Sequence, residues 1–170
     1  FVLRLGQKNI PISINLARLE GQILQVLGKQ KESDMFYAKQ IKRYPNNPFL
    51  YLDRARMRWN MGEKNLALTD ARKALKIKPY SFEALYLIGI ILSQTSDQNS
   101  PDKIDKALGI LISASEINSS DPDLWLRISA LWERKNNIRM AKLAMTKAVE
   151  LSPESEPYLR RLTLLLEKEL

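Results

Sequence analysis

Cysteine and histidine are both missing from this chain of 170 residues. Without cysteine there is no disulfide, no thiolate metal site and no thiol nucleophile. Without histidine, the commonest general base and the commonest metal ligand go too. Glycine is scarce at six residues and forms no phosphate-cradling loop. No apolar run approaches the roughly 20 residues that a membrane-spanning helix needs. No basic segment followed by an apolar stretch and a cleavage site marks a signal peptide. The chain opens on Phe1 rather than Met, so it is expected to be a piece or a processed form of a longer protein. Carboxylates, lysines and hydroxyls are all that is left for catalysis. Asp102 and Asp105 lie in a polar stretch that leads into a helix, where Ser100 or Asp102 is expected to cap the first turn rather than to act as an acid or base. These subtractions argue against an enzyme and against any cofactor, while leaving the compartment open.

What is present is helical. Ala, Leu, Lys, Arg, Glu and Met dominate, all good helix formers, and the composition, 45% hydrophobic and 27% charged, is that of one soluble domain with a continuous core. Pro45 and Pro79 stand 34 residues apart, and the stretches they close align residue by residue. In that register Gly21 matches Ala55, Gly28 matches Gly62, and Tyr37 matches Ala71. Ala67, Ala71 and Ala74 recur at four- and three-residue spacing, which lets a neighbouring helix approach closely along one face. Pro153 lies 74 residues beyond Pro79, two periods plus 6, and an insertion in the inter-helix turn near 94–102 accounts for the 6. A period of this size is the mark of stacked helix pairs, none of which can bury its apolar side alone.

At this point the chain resembles the tetratricopeptide repeat, a helix-turn-helix unit of 34 residues. Pro48-Phe-Leu-Tyr51, Met61-Gly62 and the run from Asn65 through Ala67, Ala71 and Ala74 to Pro79 carry the resemblance most fully, and Ala141 through Pro153 repeats its second half. The resemblance implies an all-α, right-handed solenoid. Its expected parts are a lead segment 1–13, four units at 14–47, 48–81, 82–121 and 122–155, and a helix from 156 to 170 that is either a cap or the start of a fifth unit. Two departures stand out. Arg54 and Arg58 occupy first-helix positions that are ordinarily apolar and must snorkel or find carboxylates such as Asp53 or Asp70, and Ser119 replaces the proline of the third unit.

The family lines a concave groove with the first helices of its units. Carried onto this sequence, that implies partner-binding positions at Arg18, Gln22, Phe49, Leu52, Arg56, Trp59, Asn60, Tyr86 and Ile90, with Asn15, Gln25, Glu83, Ser93, Asp123, Leu126, Ala130, Glu133 and Arg134 at the equivalent places. Trp125 and Trp132 fall on structural positions and are expected in the core. The Lys and Asn clamp by which chaperone-binding members hold a terminal carboxylate has no counterpart here.

Charge is uneven: residues 1–81 hold 16 Lys and Arg against 6 Asp and Glu, net +10, and residues 82–170 hold 11 against 13, net −2. That asymmetry suggests an acidic partner drawn to the first half. The reading is a non-catalytic scaffold that holds a peptide or helix of a partner protein. One alternative is RNA binding by the basic half, for which the regular polar pair of one-base-per-repeat readers is not evident. Another is an accessory domain of a larger protein or enzyme. Self-association through Leu159, Leu162 and Leu166 of the last helix is a further expectation.

Overall fold

A computed structural model describes residues 13–94 and 100–168. The lead segment, save Ser13, and residues 95–99 of the expected insertion lie outside the described residues. Among the described residues the regular structure is entirely α-helical: α1 Ile14–Val26, α2 Gln30–Arg43, α3 Pro48–Asn60, α4 Lys64–Ile77, α5 Phe82–Ser93, α6 Pro101–Ile117, α7 Pro122–Arg134, α8 Ile138–Leu151 and α9 Glu156–Glu167. None of these helices is long and apolar enough to cross a membrane. The architecture is the expected all-α helical repeat, in two compact units, one up to Pro79 and one from Tyr80.

Within the first unit α1 pairs with α2 and α3 with α4, while α3 also packs on α2 and touches α1. Within the second, α5 pairs with α6 and α7 with α8, α7 packs on α6 and touches α5, and α9 packs on α8. Local chemistry sets the boundaries. Asn47 and Asp121 each accept two backbone N–H bonds at the starts of α3 and α7, and Pro48 and Pro122 follow at the first helical position. The turns inside the pairs close alike. Gly28, Gly62 and Asn136 adopt φ of 73°, 80° and 56°, and the next residue's N–H returns to the carbonyl five back, at 2.8 to 2.9 Å. Glycine takes this left-handed geometry without strain, and asparagine is among the few residues that tolerate it.

The helix α6 begins at Pro101, three residues before the position equivalent to Lys64 once the 6 extra residues are counted. Half of the insertion therefore lengthens a helix instead of the turn. Ser100 is its N-cap residue through its backbone carbonyl, which accepts from Lys103 and Ile104, while Asp102 sits in the first turn.

The pairs are matched by volume. Four equivalent positions of the repeat register run Gly21 with Tyr37, Ala55 with Ala71, Gly89 with Leu111, and Ser129 with Met145, and all eight residues are buried. A Cβ at Gly21 would lie 2.6 Å from the Tyr37 hydroxyl oxygen, and one at Gly89 would lie 2.6 Å from Leu111 Cγ. Where one helix is large the other is reduced to backbone, and close packing leaves no slack between them.

The arginines that interrupt the apolar pattern of α3 are neutralised inside the first unit. Arg54 holds Asp70 through two bonds of 2.8 and 2.7 Å. Arg58 reaches Asp34 and Asp70, both at 2.9 Å. Asp70 is 3% exposed and comes from α4, so the network ties α2, α3 and α4 together. Asp53, the other carboxylate considered for these arginines, serves Arg18 instead.

In the second unit Ala141, Met145, Ala148 and Leu165 form a core cluster against which Trp125, Leu126, Trp132, Tyr158 and Leu162 pack half-buried. Both tryptophans therefore take the structural role expected of them. Leu162 packs inward, which removes it from the self-association face expected on α9, whereas Leu159 and Leu166 are exposed.

Candidate partner-binding face

The first helices of the pairs present one side free of their second helices. In the first unit that side is built around a desolvated carboxylate. Asp53, on α3 and 3% exposed, accepts from Arg18 Nε at 2.6 Å and from Nη2 at 3.3 Å. The hydrogen bond to Asp53 pushes the Arg18 pKa above its ordinary value, so the guanidinium is a fixed cation. It lies 4.9 Å from the centroid of the Phe49 ring, and the Lys78 ammonium lies 5.6 Å from the same ring. Phe49, 37% exposed, is thus an aromatic surface held between two cations.

Below these residues Tyr37 is buried completely. Its hydroxyl donates to the Arg18 carbonyl at 3.4 Å and accepts from Gln25, whose amide also donates to the Gly21 carbonyl. Burial pushes the Tyr37 hydroxyl well above the ordinary tyrosine range. Gln22, Arg56 and Asn60 are exposed, as is Asn15, and Trp59 is half-buried with the Lys64 ammonium 5.9 Å from its ring. Leu52 corrects the expectation placed on it. At 3% exposure it is a core residue with nothing to offer a partner.

In the second unit Tyr86 stacks on Phe82 with ring centroids 5.5 Å apart, and Arg127 Nε donates to its hydroxyl at 2.9 Å. Burial raises the Tyr86 pKa, and the Arg127 bond opposes that rise. Arg134 donates to the Ser93 carbonyl at 2.9 Å. Tyr158 donates to Asp123 at 2.6 Å, which pushes its hydroxyl up to about 12. Glu133 pairs with both Arg161 and Lys168. Ile90 and Ala130 are half-buried, Leu126 packs on the core cluster, and exposed Glu83 accepts from the Ser81 hydroxyl.

A rule connects these bonds. Arg18 with Asp53, Asp123 with Tyr158, and Glu133 with Lys168 are each separated by 35 residues, one more than the repeat. Tyr86 with Arg127 and Ser93 with Arg134 are separated by 41, which is the same offset across the 6-residue insertion. Within the first unit α1 is bonded to α3 in this way, and within the second α5 to α7 and α7 to α9. The sequence reading found Arg18, Tyr86, Ser93, Asp123, Glu133 and Arg134 but not their partners Asp53, Arg127 and Tyr158. A search for complementary polar residues at that offset would have found all three.

Within each unit this side displays cations, aromatic rings and amides on helices that are bonded to one another. Among the described residues no three His, Cys, Asp or Glu side chains come together as metal ligands.

Residues 50–81 match the family model described as tetratricopeptide repeat. The human General transcription factor 3C polypeptide 3 is 25% identical over 105 residues, which cover 62% of this chain and 11% of that protein. The chain thus spans about a tenth of the length of that curated relative. Among solved structures, MamA 41-end from Desulfovibrio magneticus RS-1 superposes with a TM-score of 0.79 at 22% identity, covering 91% of this chain and 84% of that one. TTC0263, a thermophilic TPR protein of Thermus thermophilus, gives 0.69 at 16% identity, covering 90% and 81%. These likenesses are of fold.

Proposed function

The chain carries the tetratricopeptide repeat, matched outright at residues 50–81 and continued as fold by the helix pairs on either side, and from this premise we propose that it is a non-catalytic scaffold whose first-helix face binds a peptide or helix of a partner protein. Repeats of this type serve as protein-interaction scaffolds, and the units at 14–47, 48–81, 82–121 and 122–155 are its modules. The observation that carries the reading is Phe49 with the Arg18 and Lys78 cations close to its ring, on a helix that also carries exposed Arg56. Aromatic and arginine side chains supply most of the energy at interfaces, and here they are already fixed, so little ordering cost is left for binding. The cations at Arg18, Arg56 and Lys78 favour a partner segment with carboxylates flanking an apolar or aromatic residue.

Affinity capture from native extract, with the chain compared with an Arg56→Glu, Trp59→Ala double variant, tests this reading. The expected result is a protein captured by the parent and at least tenfold depleted on the variant, with circular dichroism unchanged. Capture that the variant retains overturns the assignment of the face. Salt discriminates the RNA reading, because phosphate contacts weaken by nearly one power of salt concentration each, whereas an aromatic-anchored peptide responds modestly.

A further inference from the structure

The second unit holds an apolar pocket of about 400 Å³ that belongs to the other side of the helix pairs. Trp125 and Trp132, one heptad apart on α7, form one wall. Ile112 of α6 and Met140, Leu143 and Lys147 of α8 are among the residues that complete the lining. Side chains that line the pocket are engaged by contacts within the chain. The Trp125 indole N–H donates to the Ser119 carbonyl at 2.8 Å, and the Lys147 ammonium lies 4.2 Å from the centroid of the same ring. The Ser115 hydroxyl at its edge is satisfied by the Ile112 carbonyl at 2.7 Å. Its volume is in the range of sites that accept large apolar groups.

The apolar surface does not end at the pocket. Met140, Leu143 and Leu151 are 37%, 54% and 41% exposed and follow one face of α8, with Lys147 between them. That strip spans roughly 16 Å at 1.5 Å per residue, three turns of helix, which is too long for a compact small molecule. Its charges also have a direction. No carboxylate pairs with Lys147 or Arg139 among the described residues, and Glu150, three residues beyond Lys147, lines the same pocket.

We propose that this pocket and strip form a second docking site, for an amphipathic helix of a partner protein that inserts a large apolar side chain between Trp125 and Trp132 and sets a carboxylate over Lys147. An acidic flank is selected by Lys147 and Arg139, and a basic residue one turn on is selected by Glu150. Helices that lie in such grooves read as anchors at i, i+3 or i+4, and i+7, which fits the spacing of Met140, Leu143, Lys147 and Leu151.

A display library of amphipathic helical peptides, selected on the whole chain and counter-selected on the Leu143→Glu variant, tests the site. Leu143 is more than half exposed, so its replacement leaves the fold intact, and Ile112→Glu provides an independent variant on α6. The expected outcome is enrichment of sequences with Leu, Phe or Trp anchors and Asp or Glu beside them, bound at least tenfold more weakly by both variants and quenching tryptophan fluorescence. A Lys147→Glu variant should reverse the preference toward basic flanks. Failure to enrich any sequence sensitive to Leu143→Glu overturns the proposal, as does enrichment of basic flanks on the parent chain. Retention of the selected peptides by the Arg56→Glu, Trp59→Ala variant separates this site from the first-helix face.

Discussion

Asp70 has more consequence than any other single side chain in the first unit. It is nearly inaccessible to water and pairs with two half-buried arginines from α3, of which Arg54 would otherwise carry an unpaired charge while Arg58 would keep only Asp34. Removing one member of a buried pair costs more than the pair contributes, because the remaining charges are stranded. We expect Asp70→Asn to destabilise the chain by about 3 kcal/mol, read as a lower midpoint in urea. Replacing Arg54 and Arg58 by Met and Asp70 by Leu together should recover most of that loss. The sequence marked Arg54 and Arg58 as misfits and named Asp70 among the carboxylates that could meet them. What it did not contain was the contribution of Asp34, which comes from α2 and meets Arg58 only through tertiary packing.

At the scale of the element, α9 is tied to α7 by one hydrogen bond near its start and by the ion pairs of Arg161 and Lys168 with Glu133. The Tyr158 hydroxyl donates to Asp123, and that bond exists only while the phenol keeps its proton. The phenol's pKa in the folded chain, about 12, is above its ordinary value of 10, so the stabilisation is complete below pH 10 and is lost as pH rises through 12. Alkaline titration followed by amide exchange should therefore show α9 loosening in that interval, and Tyr158→Phe should remove the part of the pH dependence that this bond contributes. Helix starts and stops were legible from Asn47-Pro48, Asp121-Pro122, Gly28 and Gly62, where local chemistry decides. The start of α6 at Pro101 agrees with the cap expected at Ser100 or Asp102, whereas the insertion drawn near 94–102 runs two residues into that helix.

At the scale of the whole molecule, the positive charge belongs to one unit. Within it the carboxylates Asp34, Asp53 and Asp70 are bonded to half-buried arginines, while Lys31, Lys39, Lys42, Lys73 and Lys76 are exposed to solvent. Screening weakens repulsion between exposed charges far more than it weakens buried pairs. The melting temperature should accordingly rise between 10 mM and about 150 mM monovalent salt, where the Debye length falls from roughly 30 to 8 Å; a fall would mean that exposed ion pairs dominate. The fold was legible because the 34-residue period is written in the sequence, and the site was legible only in part, because Leu52 has the same chemistry in a core as on a surface. The volume matching inside the helix pairs bears on ancestry. Because Tyr37 is answered by Gly21, and Leu111 by Gly89, within the same pair, each pair is a self-consistent heritable module. Such a pair can be duplicated or exchanged whole, whereas recombination that separates its two helices joins a large residue to another large one, or leaves a hole.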